Sequence, residues 1–550
     1  MYYTGMTRRY RLTLTLVCTA LLCGCNLTQA APSAVPTATT VQISALTSPI
    51  PTLVRGTPAS ATAPGAETPS ASEGTDSAAG TPDAEALAAE MQPTTDPEAT
   101  FGTASCGHAE TEPATRHTVE ATIDYAAKTV EARQITRHIN RESEALNDLV
   151  FNVEPNYWLN AFEMVSVTGA AETTLTGRRL VIALAEPLET GCALQVELAF
   201  KLNIPQIGAG IAGFKGYFGY TSEQINLGHW LPTLALRVNN AWITRESFFA
   251  GEQNVLDIAD WDVTWTLANA DNVTVAAPGT IEDLGEGKGR GTMQRARDYS
   301  LSLSDTFIVL RDLTVTGIPV ELYTLGSTEV TAPNGQLVDG APHALTMAIR
   351  ALELFSEKFG AYIYPRMIVV EGDFPDGMEF SGFAFVSRTW FRQYVGQPDG
   401  FLTLITVHEV AHQWWYARVG SDSAMTPWLD EALSTYCEHL FLEQFYPNLT
   451  AWWWDFRVNA YAPSGFVDSS VYEFTTLREY INAIYLNGVR MLHQMRIDLG
   501  EGVYFDLMKR YVTAYDGKVV GSTAFWGLLT EDQLAATRTT RAQFLRRADF

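Results

Sequence analysis

Two histidines one helical turn apart, His408 and His412, followed after 18 residues by Glu431, stand in the stretch HEVAHQWWYARVGSDSAMTPWLDEALSTY. Imidazole and carboxylate are the donors zinc takes, and His-Glu-x-x-His puts both rings on one face of a helix. The sequence predicts an amphipathic helix over FLTLITVHEVAHQWWYARVG, closed by Gly420, and a second helix that starts at Pro427 with Thr426 as its N-cap. A turn between them brings Glu431 to the same ion. Three protein ligands leave a fourth position for water, the arrangement of a catalytic zinc, one per chain. Glu409, next to a ligand, is placed to take the proton of the attacking water. Glu438, seven residues after Glu431 on the same helix face, is placed to hydrogen-bond the outer nitrogen of a ligand histidine. His439 and His493 read as satisfied helical histidines, because the ion already has its three ligands.

Elements on either side must hold these groups. Residues 315–550 read as the catalytic part: HALTMAIRALELFSEKFG is helical and ends at Gly360, PRMIVVEG is a strand, and the sequence from Phe401 onward is helical in pattern. Residues 106–314 alternate with period two. In CALQVELAF, Leu194, Val196, Leu198 and Phe200 share one face while Gln195 and Glu197 point away, so this part reads as a mostly antiparallel β domain. The fold class expected is multidomain α+β.

The front of the chain is of another kind. Residues 1–25 carry Arg8, Arg9 and Arg11, an apolar run from Leu12 to Leu22, and then Leu22-Cys23-Gly24-Cys25. This reads as an export signal, and Leu22-Cys23-Gly24-Cys25 resembles a bacterial lipobox, with Cys23 where Ala, Ser or Thr is usual and Cys25 as the expected lipidated residue, the alternative being a plain secretory signal and a secreted protein. Residues 26–105 are rich in Ala, Thr, Pro and Ser and cannot bury enough surface to fold, so they read as a tether reaching roughly 50 Å. The expected location is outside the cytoplasm, anchored to a bacterial membrane. With 37 Lys and Arg against 62 Asp and Glu, a net charge of -25, nucleic acid is excluded as a partner. Three cysteines fall in the folded sequence. Cys437 reads as helix core, while Cys106 and Cys192 either pair or stay as buried thiols.

These residues resemble the aminopeptidase N and leukotriene-hydrolase family of gluzincin zinc peptidases from about Thr118 to Leu529. The resemblance rests on His408-Glu409-x-x-His412, the spacer to Glu431 in WLDEALSTY, LGHWLPTLALRVNNAW and DIADWDVTWTL in the β part, and FGAYIYP, DGMEFSGFAF and YLNGVRML in the catalytic part. It implies a saddle-shaped antiparallel β domain followed by a thermolysin-like, mostly helical zinc-peptidase domain. It also implies a short bacterial form without the helical C-terminal domain of longer relatives. By the same resemblance Gly377, Met378 and Glu379 contact substrate, Glu379 receiving a free α-ammonium, and Tyr485 is the catalytic tyrosine. Asn487 stands where the family has lysine, and Asp376 and Phe380 where it has glycine and asparagine. The activity implied is removal of N-terminal residues from peptide substrates. A zinc endopeptidase with the same metal site and a non-catalytic peptide-binding lipoprotein are the alternatives.

The export reading has a direct check. Labelled fatty acid is expected to incorporate into the wild-type protein in a bacterial host and not into Cys25→Ser; labelling that persists in Cys25→Ser contradicts the assignment.

Overall fold

The computed structural model describes residues 100–208 and 215–547; the export signal, Cys25 and all but the last residues of the tether lie outside them. The strand Cys192–Asn203 alternates as its sequence requires, with Leu194, Val196, Leu198 and Phe200 all buried and Gln195 and Glu197 partly exposed. It pairs with Thr129–Ile139, which pairs with Thr115–Asp124, all antiparallel. The same eight-stranded sheet continues through Ala259–Ala268 and Lys288–Ala296 to the edge strand Thr280–Gly285. Its one departure from the expected antiparallel pattern is the parallel pair of Thr115–Asp124 and Ala259–Ala268. More than a hundred residues separate those strands, so no hairpin constrains their direction. Two four-stranded sheets and a two-stranded hairpin of Arg237–Val238 with Ala241–Trp242 complete the described β part. Cys106 and Cys192 face each other across an antiparallel pair and form a disulfide.

A five-stranded sheet opens the catalytic part, in the order Phe307–Leu313, Pro319–Leu325, Met367–Gly372, Phe383–Ser387, Gly377–Phe380. Met367–Gly372 is buried along its whole length and pairs in parallel with both neighbours, which explains its continuous apolar run. The hairpin of Phe307–Leu313 with Pro319–Leu325 straddles residue 314. The expected boundary at 314/315 therefore falls inside this sheet, and the passage from the β part lies between Ser304 and Phe307. Period-two alternation does not distinguish one sheet from the next.

Gly340–Phe359 is a helix capped at its start by the Asp339 side chain and ended by Gly360 at φ 112°. It packs on the helix Phe401–His412, which in turn packs on Glu431–Phe445. Phe401–His412 is not amphipathic as expected: every residue from Leu402 to His412 is buried. After His412 the chain widens into a π-helical turn, Gln413–Arg418, and Trp415 leaves helical geometry at φ -100°, ψ 22°. That widening lets two adjacent indoles be buried in different directions, Trp414 donating to the carbonyl of Gly360 (2.8 Å) and Trp415 to Cys437 Sγ (3.3 Å). Gly420 lies in a short strand, Gly420–Ser421, rather than in a helix cap. A Cβ there would sit 2.6 Å from Arg297 Cζ.

Arg297 joins the two parts. From the end of the strand Lys288–Ala296 its buried guanidinium donates to the carbonyls of Tyr416 (2.6 Å), Leu256 (2.7 Å) and Lys518 (2.9 Å). Asp298 beside it accepts from the Tyr416 hydroxyl (2.6 Å) and the backbone of Ser381 (3.1 Å). Removing the guanidinium takes this donor from the carbonyls of the buried residues Tyr416 and Leu256 and from that of Lys518. Arg297→Met is expected to lower unfolding stability by about 3 kcal/mol or more, read from denaturant midpoints; a loss within measurement error contradicts this role.

Candidate metal centre

His408 Nε2 and His412 Nε2 face each other at 3.1 Å. The tautomer of His412 is set from outside: Asp430 Oδ1 lies 2.7 Å and Ser434 Oγ 3.1 Å from its Nδ1. Asp430 accepts only, so Nδ1 carries the proton and Nε2 offers a lone pair. Glu431 Oε2 lies 3.3 Å from His408 Nε2 and 3.8 Å from His412 Nε2, buried and without a hydrogen-bond partner. The structure thus brings the three sequence-predicted ligands together, with one donor atom from each within 4.8 Å of the others.

The second helix starts later than expected. Pro427–Leu429 forms a single 3-10 turn, the Thr426 side chain donates to the carbonyl of Asp422 instead of capping, and the α-helix runs Glu431–Phe445. Asp430 occupies the N-cap position but makes no cap, because one oxygen is turned to His412 and the other accepts from Ser423 Oγ (2.8 Å). Orientation of a ligand takes precedence here over satisfying the helix end.

Around the ligands the buried groups are mostly acidic. Burial, then the neighbouring Asp430 and Glu431, hold Glu379 well above the ordinary carboxylate range. Burial also raises Glu409 well above that range, with Glu431 and Asp376 adding to the effect and His408 opposing it. Burial works against charge on His408, yet Glu431 and Glu438 raise it to about 10. Two opposed imidazole nitrogens, an unpartnered carboxylate oxygen and crowded acids fit a divalent cation, and two imidazoles with one carboxylate are the donor set that takes Zn2+.

Glu409 lies over the strand Gly377–Phe380, and its Oε2 has no partner. Gly377 makes room for it: a Cβ there would sit 2.2 Å from Glu409 Oε1. Met378 and Glu379 are both buried, line the same cleft, and Glu379 Oε1 is likewise unpartnered. The hairpin that carries them is pinned to the metal helix by Gln413, which donates to the carbonyl of Phe380 (2.9 Å) and accepts from Gly382 N (2.8 Å). Asp376, at the hairpin's start, has φ 70°, a conformation aspartate tolerates better than most residues. Tyr485 lies parallel to the His408 ring, centroids 6.1 Å apart. Glu438 Oε1 is 3.3 Å from His408 Nδ1. The cleft holds about 350 Å³, and its far wall comes from the β part, including Trp158, Tyr217 and Glu252.

Sequence reasoning missed Asp430, Gln413, Tyr480 and Glu252. Tyr480, one turn before Tyr485, lines the cleft with 5.5 Å between ring centroids, and its spacing to Tyr485 was the available signal. Asp430 was legible only as the residue before a ligand. His493 is satisfied as expected, 3.0 Å from the Tyr436 hydroxyl. His439 is not: it is buried, and neither ring nitrogen makes a hydrogen bond, although Nε2 lies 3.1 Å from Glu443.

Because Glu409 depends on the missing side chain of residue 377, Gly377→Ala is expected to keep one zinc per chain while lowering kcat on the order of a hundredfold, measured by metal analysis and steady-state kinetics. Wild-type turnover in Gly377→Ala contradicts the need for Glu409 in this position.

Residues 343–545 match the family model described as the peptidase family M1 domain. Aminopeptidase M1-A of Oryza sativa subsp. japonica is 24% identical over 229 residues, 38% of this chain and 26% of its own length. Aminopeptidase M1-C of the same organism is 25% identical over 203 residues, 34% of this chain and 23% of its own length. The match therefore spans about a quarter of these curated relatives. Among solved structures, an M1 zinc metallopeptidase from Deinococcus radiodurans superposes with a TM-score of 0.56 at 16% identity over 79% of this chain and 95% of that one. A variant of the M1 zinc metallopeptidase from Deinococcus radiodurans, bound to a Tyr-Ser-Ala substrate, gives 0.56 at 17% identity with the same coverage. The fold, a β part followed by a mostly helical part, is thus similar to that of the two-domain M1 zinc metallopeptidases, and residues 343–545 match the peptidase family M1 domain.

Proposed function

We propose that this protein is a zinc-dependent aminopeptidase that removes N-terminal residues from peptides outside the cytoplasm. The observation that carries this reading is Glu379: a buried carboxylate with an unpartnered oxygen, in a cleft shared with the metal ligands and Glu409. A free α-ammonium supplies both the charge and the donors such a group lacks, whereas an internal peptide segment supplies neither. His408, His412 and Glu431 would hold the ion, which when bound supplies Lewis acidity to a carbonyl and to water. Glu409 accepts the proton of the attacking water at its free carboxylate oxygen and returns it to the leaving amine. Tyr485, held beside His408, donates a hydrogen bond to the oxyanion as it develops. Glu379 fixes the amino end so that the first peptide bond, and not a later one, lies between Glu409 and Tyr485.

The Tyr-Ser-Ala substrate bound to the structural relative supports a peptide as the substrate class. The Cys106–Cys192 disulfide supports an oxidising, extracytoplasmic location, in keeping with an anchor at Cys25.

The test compares aminoacyl anilides with free and N-acetylated amines. Free-amine substrates are expected to be cleaved and acetylated ones not. Glu379→Ala is expected to lose much of that preference, and Glu409→Gln to keep its zinc yet lose nearly all turnover. Efficient cleavage of N-blocked peptides by the wild type replaces the aminopeptidase with the endopeptidase.

A further inference from the structure

Each ligand histidine has one nitrogen for the ion and one for the protein. His412 settles the second with Asp430, on the loop just before a ligand. His408 settles it differently. Its Nδ1 points at Glu438 Oε1, 3.3 Å away, an ion-pair approach rather than a hydrogen bond, and has no other partner. Glu438 is fully buried on the helix Glu431–Phe445, out of reach of bulk solvent. What holds it comes from a different element. Trp453 Nε1 donates to Oε2 (3.0 Å), Arg457 Nε to Oε2 (3.0 Å) and Arg457 Nη2 to Oε1 (3.0 Å).

Arg457 is itself buried, at 5% exposure, in the turn Trp454–Val458. Its two-point fork grips both oxygens of Glu438, which fixes the plane of the carboxylate as a single contact could not. It also supplies the counter-charge a buried carboxylate requires. The carboxylate so held stands opposite His408 Nδ1, which leaves Nε2 as the nitrogen that faces His412 and Glu431.

We infer that Arg457 is a positioning residue of the metal centre: it touches none of the three ligands, yet through Glu438 it sets the orientation of His408 and thereby the affinity for zinc. The inference rests on the zinc site proposed above but not on the peptide specificity, since Arg457 acts on the metal end of the cleft. The chain of contacts is short: Arg457 to Glu438 to His408 to the ion. A partner at that remove from a metal commonly changes affinity by 10- to 100-fold.

The experiment measures the zinc dissociation constant of the full chain, after metal removal, by competition with a chromophoric chelator. Wild type, Arg457→Met, Glu438→Gln and the double variant form a cycle. Each single change is expected to weaken zinc binding about tenfold or more. The double variant is expected to bind no more weakly than the weaker single variant, because both remove the same link. Arg457→Lys, which keeps the charge and loses the fork, is expected to fall between wild type and Arg457→Met. Should Arg457→Met not fold, Arg457→Lys combined with Glu438→Gln completes the cycle. Wild-type affinity in the arginine variants, or losses that add in the double, overturns the inference. A wild type that binds no zinc overturns the metal site with it, whereas normal zinc binding with cleavage of N-blocked peptides fails only the aminopeptidase reading.

Discussion

Two imidazole nitrogens 3.1 Å apart and a buried carboxylate oxygen within 4 Å of both are a poor arrangement unless a positive charge stands among them. Much of the catalytic part can be understood as the means of holding that arrangement. The helix Phe401–His412 is buried on every side, so its two histidines cannot turn toward solvent. The loop back to Glu431 gives up a conventional helix start so that Asp430 can hold His412. Glu438, held from a third element, faces His408. Each of the two histidines faces a buried carboxylate, and that order is present in the protein before any substrate arrives.

The β part does more than cover the cleft. Arg297 and Asp298 grip Tyr416 and Ser381, one just beyond the metal helix and the other just beyond Glu379 on its hairpin. Gln413 ties the same hairpin to the helix from the other side. The distance between Glu379 and the ligands is therefore set by contacts of both parts. Gly377 closes the arrangement at the smallest scale, because Glu409 fills the volume a side chain would take. Glu409 and Glu379 thus share one short strand as their support.

How much of this was legible in the sequence follows from the range of the interactions. The ligand spacing, the alternation of Cys192–Asn203 and the helix ended by Gly360 are local patterns, and they appear where expected. The helix start at Pro427 and the cap at Gly420 also rested on local signals, and in each case a distant partner decided otherwise, His412 for Asp430 and Arg297 for Gly420; at 314 the alternation runs unbroken from one sheet into the hairpin of the next. Arg457, Gln413 and Arg297 carry no local signal at all. Nothing near them in sequence shows that they face Glu438, a hairpin and three carbonyls. Single-sequence patterns picked out the side chains that cluster in the cleft, and the groups that hold them emerged only from the packing.

The most direct measurement is anomalous diffraction from crystals of the zinc-loaded protein, collected on both sides of the zinc absorption edge. The account predicts one zinc peak per chain, roughly 2.0 to 2.2 Å from His408 Nε2, His412 Nε2 and a Glu431 oxygen. No peak at that point, or a zinc peak bound by other side chains, would contradict it.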